Sequence, residues 1–243
     1  MRIMIGTPVY DEQVLVPYHS AVMNLVARFR QERPDVVFDS ALLSGSLVAR
    51  TRSVLASRVL ADPRYSHLLF IDSDMGFAPT LILKMLALDE PVVGCLAPVR
   101  KNDYARLQAT ARPGADAEAW RFAAHTYIPD QIHLDRPQRS GFVQAPYAGT
   151  GIMLIRRDAL EGLREAHPEL VTESGAYEAG LGYSGPVFHA FAETLEDGED
   201  AAFCARWKAV GGDIWVCTNE TIIHVGRERF IGNYLAGHRH RQG

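Results

Sequence analysis

Cysteine is scarce in this chain. Three residues in 243, Cys95, Cys204 and Cys217, stand far apart with no C-x-x-C pair. An odd count without a spacing framework excludes a disulfide scaffold and fits a reducing compartment. No apolar run reaches the roughly 18 residues of a membrane span. The opening stretch MRIMIGTPVYDE has too short an apolar part for a signal peptide and lacks a cleavage site. A basic excess is also missing: the formal net charge is -4, which argues against a nucleic-acid partner. What remains is ordinary for a soluble globular protein, with 47% apolar and 22% charged residues. The expected location is the cytoplasm, with peripheral membrane contact left open.

Apolar runs and helical stripes alternate along the first hundred residues. RIMIG (2–6) reads as a strand, and Val22, Leu25, Val26 and Phe29 form one stripe of an amphipathic helix that Pro34 ends. Residues 36–43 read as a second strand. Ser46 is placed to cap a helix carrying Leu47, Thr51, Val54, Leu55 and Val59. HLLFI (67–71) is wholly apolar, as in a strand buried on both faces. Pro79 opens a helix through Leu88, and residues 92–96 form a fourth strand. This β-α-β-α-β-α-β order predicts an α/β fold with a mainly parallel sheet and helices on both faces. Residues 101–139 and 172–184 read as loops. Residues 151–155 lead into a helix capped by Asp158. Residues 199–210 form a helix with Phe203, Cys204 and Trp207 inward, stopped by Gly211-Gly212. Residues 214–216 and 221–225 are short strands, and the tail GHRHRQG is loose. With no repeat or linker, one domain over 1–243 is expected.

The most informative stretch is LLFIDSDMGFAP. Asp72 and Asp74 follow a buried strand, and ligands of open α/β sheets bind beyond strand carboxyl ends. If the backbone stays extended, residues two apart project to one side. Two carboxylates there suit a hard divalent cation carrying phosphate oxygens. The plain alternative is a turn or cap before the next helix. Farther on, Glu199 and Asp200 enter a helix, where acidic residues are stabilised by about 0.3–1 kcal/mol through the free N–H groups and dipole. Asp200 lies three and four residues before Phe203 and Cys204, on or near the core-facing stripe. His224 ends a strand, where a structural role is the plain alternative.

A hydrophobic strand running into D-x-D, then an E-D pair, then a histidine, resembles the GT-A glycosyltransferases. The resemblance runs from Ile3 to about Tyr234 and is best at FIDSDMGF, GTGIMLIRR, GEDAAFCARW and IIHVG. It implies a Rossmann-like nucleotide-diphospho-sugar transferase fold, with a nucleotide part at about 1–100 and an acceptor part at about 141–235. By resemblance Asp72 contacts the ribose or sugar, with Ser73 beside it. Asp74 coordinates manganese or magnesium, and His224 and Asp72 are further metal-binding residues. Asp200 is the general base that deprotonates the acceptor hydroxyl and Glu199 holds the acceptor, or the two exchange roles.

In the same family the first strand opens into a turn against the nucleobase, which makes Thr7, Tyr10 and Asp11 donor-binding candidates. Asp39 is a candidate for the base or ribose. Arg50 and Arg52 resemble an arginine that reaches the uracil or diphosphate, and phosphate charge is the physical reason; a solvated helix face is the alternative. Gly149, Thr150 and Gly151 resemble a loop near the donor sugar, where small residues admit a ligand to the backbone; a plain turn is the alternative. The implied reaction moves one sugar from a nucleotide-diphosphate donor, UDP-sugars favoured, to a saccharide, lipid-linked or protein acceptor. Direct displacement inverts the anomeric centre, and a retaining course stays open because fold does not fix stereochemistry. Residues 101–139 and 172–184 would act as lids. Three rivals are a haloacid-dehalogenase-like phosphatase, a sugar-nucleotide pyrophosphorylase and a non-catalytic nucleotide-sugar binder. The first expects D-x-D after the first strand, and the second a G-G-x-G-T-R loop where this chain has GTPVYDEQ.

Overall fold

The computed structural model describes residues 1–110, 116–129, 132–135, 138–226 and 229–242. The chain runs β1 (Arg2–Val9), α1 (Val16–Glu32), β2 (Val37–Ser44), α2 (Val48–Ala61), β3 (His67–Ile71), β4 (Met75–Gly76), α3 (Thr80–Leu88) and β5 (Val92–Cys95). It continues through β6 (Pro98–Asn102), α4 (Tyr104–Thr110), α5 (Ala117–Ala124), β7 (His125–Tyr127), β8 (Phe142–Gln144), β9 (Ile152–Arg156) and α6 (Arg157–Ala166). The last third holds β10 (Val171–Glu173), α7 (Ala176–Gly180), β11 (Pro186–Phe188), α8 (Glu199–Ala209), β12 (Trp215–Cys217), β13 (Ile222–Val225), β14 (Arg229–Gly232) and α9 (Tyr234–Gln242).

Seven strands form the central sheet in the order β2-β1-β3-β9-β5-β12-β8. Five share one direction, while β9 and β8 run against their neighbours. Side chains alternate across it with the period of two that a pleated strand imposes. Ile3, Ile5, Leu69, Ile71, Ile152 and Leu154 face one layer, where α1 contributes Tyr18, Leu25 and Phe29 and α3 contributes Leu81, Ile82 and Met85. Met4, Leu68, Phe70, Met153 and Ile155 face the other, against α2, α6 and α8. Helices therefore cover both faces, as the apolar runs predicted. Gly94 of β5 permits the closest approach in this stack: a Cβ there would stand 2.7 Å from that of Ala148.

One feature breaks the parallel pattern. Strand β9 is inserted antiparallel between β3 and β5, pairing Leu69 with Leu154 on one side and Val93 with Leu154 on the other. Beside the sheet, a three-stranded ladder in the order β14-β13-β4 places His224 opposite Met75. Among the described residues no helix is long and apolar enough to cross a membrane.

Several local expectations need correction. The described parts of 101–139 hold β6, α4, α5 and β7; residues 111–115, 130, 131, 136 and 137 of that stretch lie outside the described residues. The tail forms α9, with Gly243 outside the described residues. Ser46 does not cap α2: the N-cap is Leu47, without a side-chain cap. Asp158 sits inside the first turn of α6 and binds Arg156, which takes the N-cap position. Segment 172–184 is likewise not a loose lid, because it carries β10 and α7 and is bound to α2. Tyr177 Oη bonds to the Leu47 amide at 3.0 Å and shares a hydrogen bond of 2.9 Å with Thr51 Oγ1. Arg58 donates to the Leu181 carbonyl at 2.6 Å. The buried Glu178 carboxylate accepts from Arg50 and from the Gly175 amide.

Candidate active site

The site forms beyond the carboxyl end of β3. There the chain does not stay extended, contrary to the simplest reading of D-x-D. The Met75 amide donates to the Asp72 carbonyl at 3.0 Å, closing a turn, while the Asp72 amide donates to the Gly151 carbonyl at 2.8 Å. The two carboxylates consequently take different partners.

Asp72 faces Arg52, whose Nη2 donates to Oδ1 at 2.9 Å and Oδ2 at 3.1 Å. Arg52 projects from the first turns of α2 and only 3% of its side chain is exposed. Its Nε lies 3.5 Å from Glu199 Oε1, and its guanidinium carbon lies 5.2 Å from the Phe70 ring centre. One buried cation thus ties the D-x-D turn to the start of α8, although Nη1 has no hydrogen-bond partner. A buried, unpaired donor costs free energy, which a ligand acceptor would recover. Burial raises the Asp72 carboxyl above the ordinary range; Arg52 opposes this and Asp74 adds to it.

Asp74 turns the other way. Its Oδ2 accepts from Arg100 Nη1 at 2.9 Å and lies 3.5 Å from His224 Nε2. The backbone explains the meeting with His224: β4 pairs with β13, and the Val225 amide donates to the Asp74 carbonyl at 2.9 Å. His224 Nδ1 lies 2.8 Å from the Pro98 carbonyl oxygen, which can only accept, so Nδ1 carries the proton. In the neutral ring Nε2 then presents its lone pair to Asp74.

Across the cleft, Asp200 approaches the 149–151 loop. A Cβ on Gly149 would stand 3.7 Å from Asp200 Oδ2, and one on Gly151 would stand 2.4 Å from Met75 Cε and 3.7 Å from Asp72 Oδ2. These glycines keep the loop backbone close to both carboxylates. Burial raises the Asp200 carboxyl; the Ala201 N–H opposes the shift and Glu199 reinforces it. Asp200 Oδ1 accepts from the Ala201 amide at 2.7 Å. Glu199, by contrast, is held toward Arg52.

Two adjoining hollows share Arg52 and Asp72. One, of about 170 Å³, is lined by Thr150, Glu199, Asp200 and His224, with Ala97, Val99 and Ile128 among its apolar walls. The other, of about 240 Å³, is lined by Tyr10, Ser73, Asp74 and Arg100. Tyr10, Arg52, Asp72, Ser73, Asp74, Gly149, Thr150, Gly151, Glu199, Asp200 and His224 are therefore gathered around one cleft.

Four other candidates are not. Thr7 is buried and hydrogen-bonds Tyr18 at 2.7 Å. Asp11 is exposed in the turn after β1, with φ of 54°, and lines neither hollow. Asp39 pairs in register with Met4, five residues before the end of β1, and binds Arg2. Arg50 points away toward Glu178 and stacks on Tyr177 at 4.6 Å. Arg100 was not foreseen, because it lies at the edge of a polar stretch without periodicity. Among the described residues no three His, Cys, Asp or Glu side chains stand together ready to hold a metal. Asp74 and His224 make a pair, and Asp72 is turned to Arg52 instead.

No protein-family model and no curated protein matches this sequence. Among solved structures, A197 from STIV is 14% identical over 93% of this chain and 86% of its own, with a TM-score of 0.49. A glycosyltransferase involved in the glycosylation of the major capsid of PBCV-1 is 14% identical over 73% of this chain and 72% of its own, with a TM-score of 0.30. A protein described as a glucose-1-phosphate thymidylyltransferase from Bacillus anthracis, in complex with a sucrose, is 11% identical over 99% of this chain and 93% of its own, with a TM-score of 0.41. Likeness at this level does not bear on the reaction, so the chemistry rests on the cleft.

Proposed function

We propose that this chain is a metal-dependent glycosyltransferase of the GT-A kind, moving one sugar from a nucleotide-diphosphate donor to an acceptor hydroxyl. The observation that carries the reading is the meeting of Asp74 and His224. The carboxylate oxygen and the imidazole lone pair face each other at 3.5 Å, with the ring oriented by the Pro98 carbonyl. With a neutral ring, two electron pairs so placed favour a shared cation, and the Arg100 guanidinium answers only the carboxylate. Ligands about 2.1 Å from a small divalent ion in adjacent positions lie about 3 Å apart, so little movement is needed. A backbone carbonyl on the far ring nitrogen is the usual support of a ligating histidine. An imidazole in the set favours manganese over magnesium, which prefers oxygen.

The cation, when bound, would neutralise charge gathering on the departing nucleoside diphosphate. The protein's own groups do the rest. Tyr10, Ser73 and Arg100 line the hollow suited to nucleotide and phosphates. Thr150, Asp72 and the 149–151 backbone line the one suited to the sugar. Arg52 fixes Asp72 and occupies Glu199, which leaves Asp200 as the carboxylate free to take the acceptor proton. With its pKa raised by burial, Asp200 is a better base than an exposed aspartate. A single displacement inverts the anomeric centre. The acceptor is a saccharide, a lipid-linked sugar or a protein hydroxyl.

The test is calorimetric titration of UDP, GDP, CDP and ADP, with manganese and with chelator, into the wild type and Asp74→Ala. Binding of one diphosphate that needs both manganese and Asp74 is expected. No metal-dependent binding of any nucleotide to folded protein would sink the reading.

A further inference from the structure

Arg100 approaches the same atom that the cation needs. Its Nη1 donates to Asp74 Oδ2 at 2.9 Å, and it is this oxygen, not Oδ1, that faces His224 Nε2. The two contacts differ in character. His224 is set by the β4–β13 ladder and by the Pro98 carbonyl. The Arg100 side chain is 56% exposed, and among the described residues Asp74 is the one partner of its guanidinium. Arg52 forms the contrast, being buried and bridged between Asp72 and Glu199.

We propose that Arg100 and the divalent cation exchange places on Asp74: the guanidinium neutralises the carboxylate until a cation takes Oδ2, and then turns its fork to the diphosphate of the donor. The proposal rests on the cation site described above and adds to it a competitor and a second phosphate-binding group. A guanidinium donating to Oδ2 and a cation ligated by the same oxygen would stand within a few ångströms of each other, and that like-charge repulsion favours one occupant at a time. Once displaced, Arg100 does not have to leave the site. It already lines the hollow that Tyr10, Ser73 and Asp74 border, so phosphates arriving there with the cation meet a free planar donor fork. Arginine suits phosphate oxygens because its N–H groups are fixed in a fork and remain charged. Strand β6 holds the parts together: Pro98, which orients His224, lies two residues before Arg100. Cation and phosphate binding are thereby coupled, because each cation taken up frees one phosphate-binding arm.

The exchange makes Arg100→Gln change two affinities in opposite directions, which loss of a plain structural contact would not do. Manganese alone, followed by calorimetry, is expected to bind Arg100→Gln more tightly than the wild type, by about three- to tenfold, since a competitor is gone. Manganese pyrophosphate is expected to bind several-fold more weakly, because the lost charge-assisted contact outweighs the relief of competition at Asp74. Arg100→Lys, which keeps the charge but not the fork, should lie between on both axes. Shifts in the same direction, or no shift, would overturn the exchange. Asp74→Ala separates the two levels. Manganese binding that needs Asp74 but ignores Arg100→Gln overturns the exchange alone. Manganese binding that survives Asp74→Ala removes the cation site and the exchange with it.

Discussion

At the scale of single residues, the cleft is governed by how few cations serve how many carboxylates. Asp72, Asp74, Glu199 and Asp200 converge on it, and the arginines that answer them are Arg52 and Arg100. Asp200 is left over, and its raised pKa follows from burial first. The native state therefore holds a proton that the unfolded chain has released at the same pH. Between the unfolded and folded pKa values, stability falls as pH rises, and the penalty is complete above the folded value. Asp200→Asn removes that penalty. It should melt at a higher temperature than the wild type near neutral pH, with the difference closing as pH falls to the ordinary carboxylate range. The same variant should lose about 10²- to 10⁴-fold in turnover at saturating donor and acceptor, as expected for a missing general base. A variant that melts higher yet turns over normally would show that another group takes the proton.

The order of Asp74, Asp200 and His224 along the chain pointed to one cleft, and the fold brings the three to it. Residue identity was misleading at Asp39 and Arg50. Both residue types suit a nucleotide, but one lies low on an edge strand and the other on the wrong side of a helix. Those facts depend on register and helix phase, which composition does not report.

At the scale of elements, α2 deserves the closest reading. It is buried nearly all round, with the sheet on one side and β10, β11 and α7 on the other. Ser57 Oγ accepts the Phe188 amide at 2.9 Å, which helps explain polar residues in a buried helix. Glu178 anchors the outer layer. Burial alone would raise its pKa, yet the Gly175 N–H and Arg50 lower it on balance. Glu178→Ala should cost about 0.5–1.5 kcal/mol, because the hydrogen bonds from Arg50 and Gly175 are lost while both donors can still reach water. It should also speed proteolysis within 172–184 while leaving manganese pyrophosphate binding intact. Melting curves and limited digestion would check this, and loss of ligand binding would mean that the segment belongs to the site after all. Strand β3 was read to the residue because four consecutive apolar side chains after His67 admit little else. The helices α4 and α5 were missed, since their stretch shows scattered prolines and little periodicity.

At the scale of the whole molecule, the alternating pattern predicted a mainly parallel sheet, and five strands obey. The antiparallel insertion of β9 was not legible: GIMLI reads as a strand, but nothing in five apolar residues states which neighbours it takes. That placement decides how the chain divides. Without β9, β3 and β5 have no ladder between them, so residues 1–100 expressed alone should show no cooperative thermal transition by circular dichroism. A sharp transition in that fragment would show that β3 and β5 can close up directly.

The insertion also limits what recombination can do with this protein. The stretches proposed to read the donor and the acceptor are not modules joined by a hinge, because the later one supplies the central rib of the earlier one's sheet. A chimaera that takes its first hundred residues from one parent and the remainder from another inherits a mismatch along Leu69–Leu154–Val93, in the middle of the fold. New pairings of donor and acceptor are better sought by exchanging the turns that border the cleft, where a change in side chains leaves the ladder untouched.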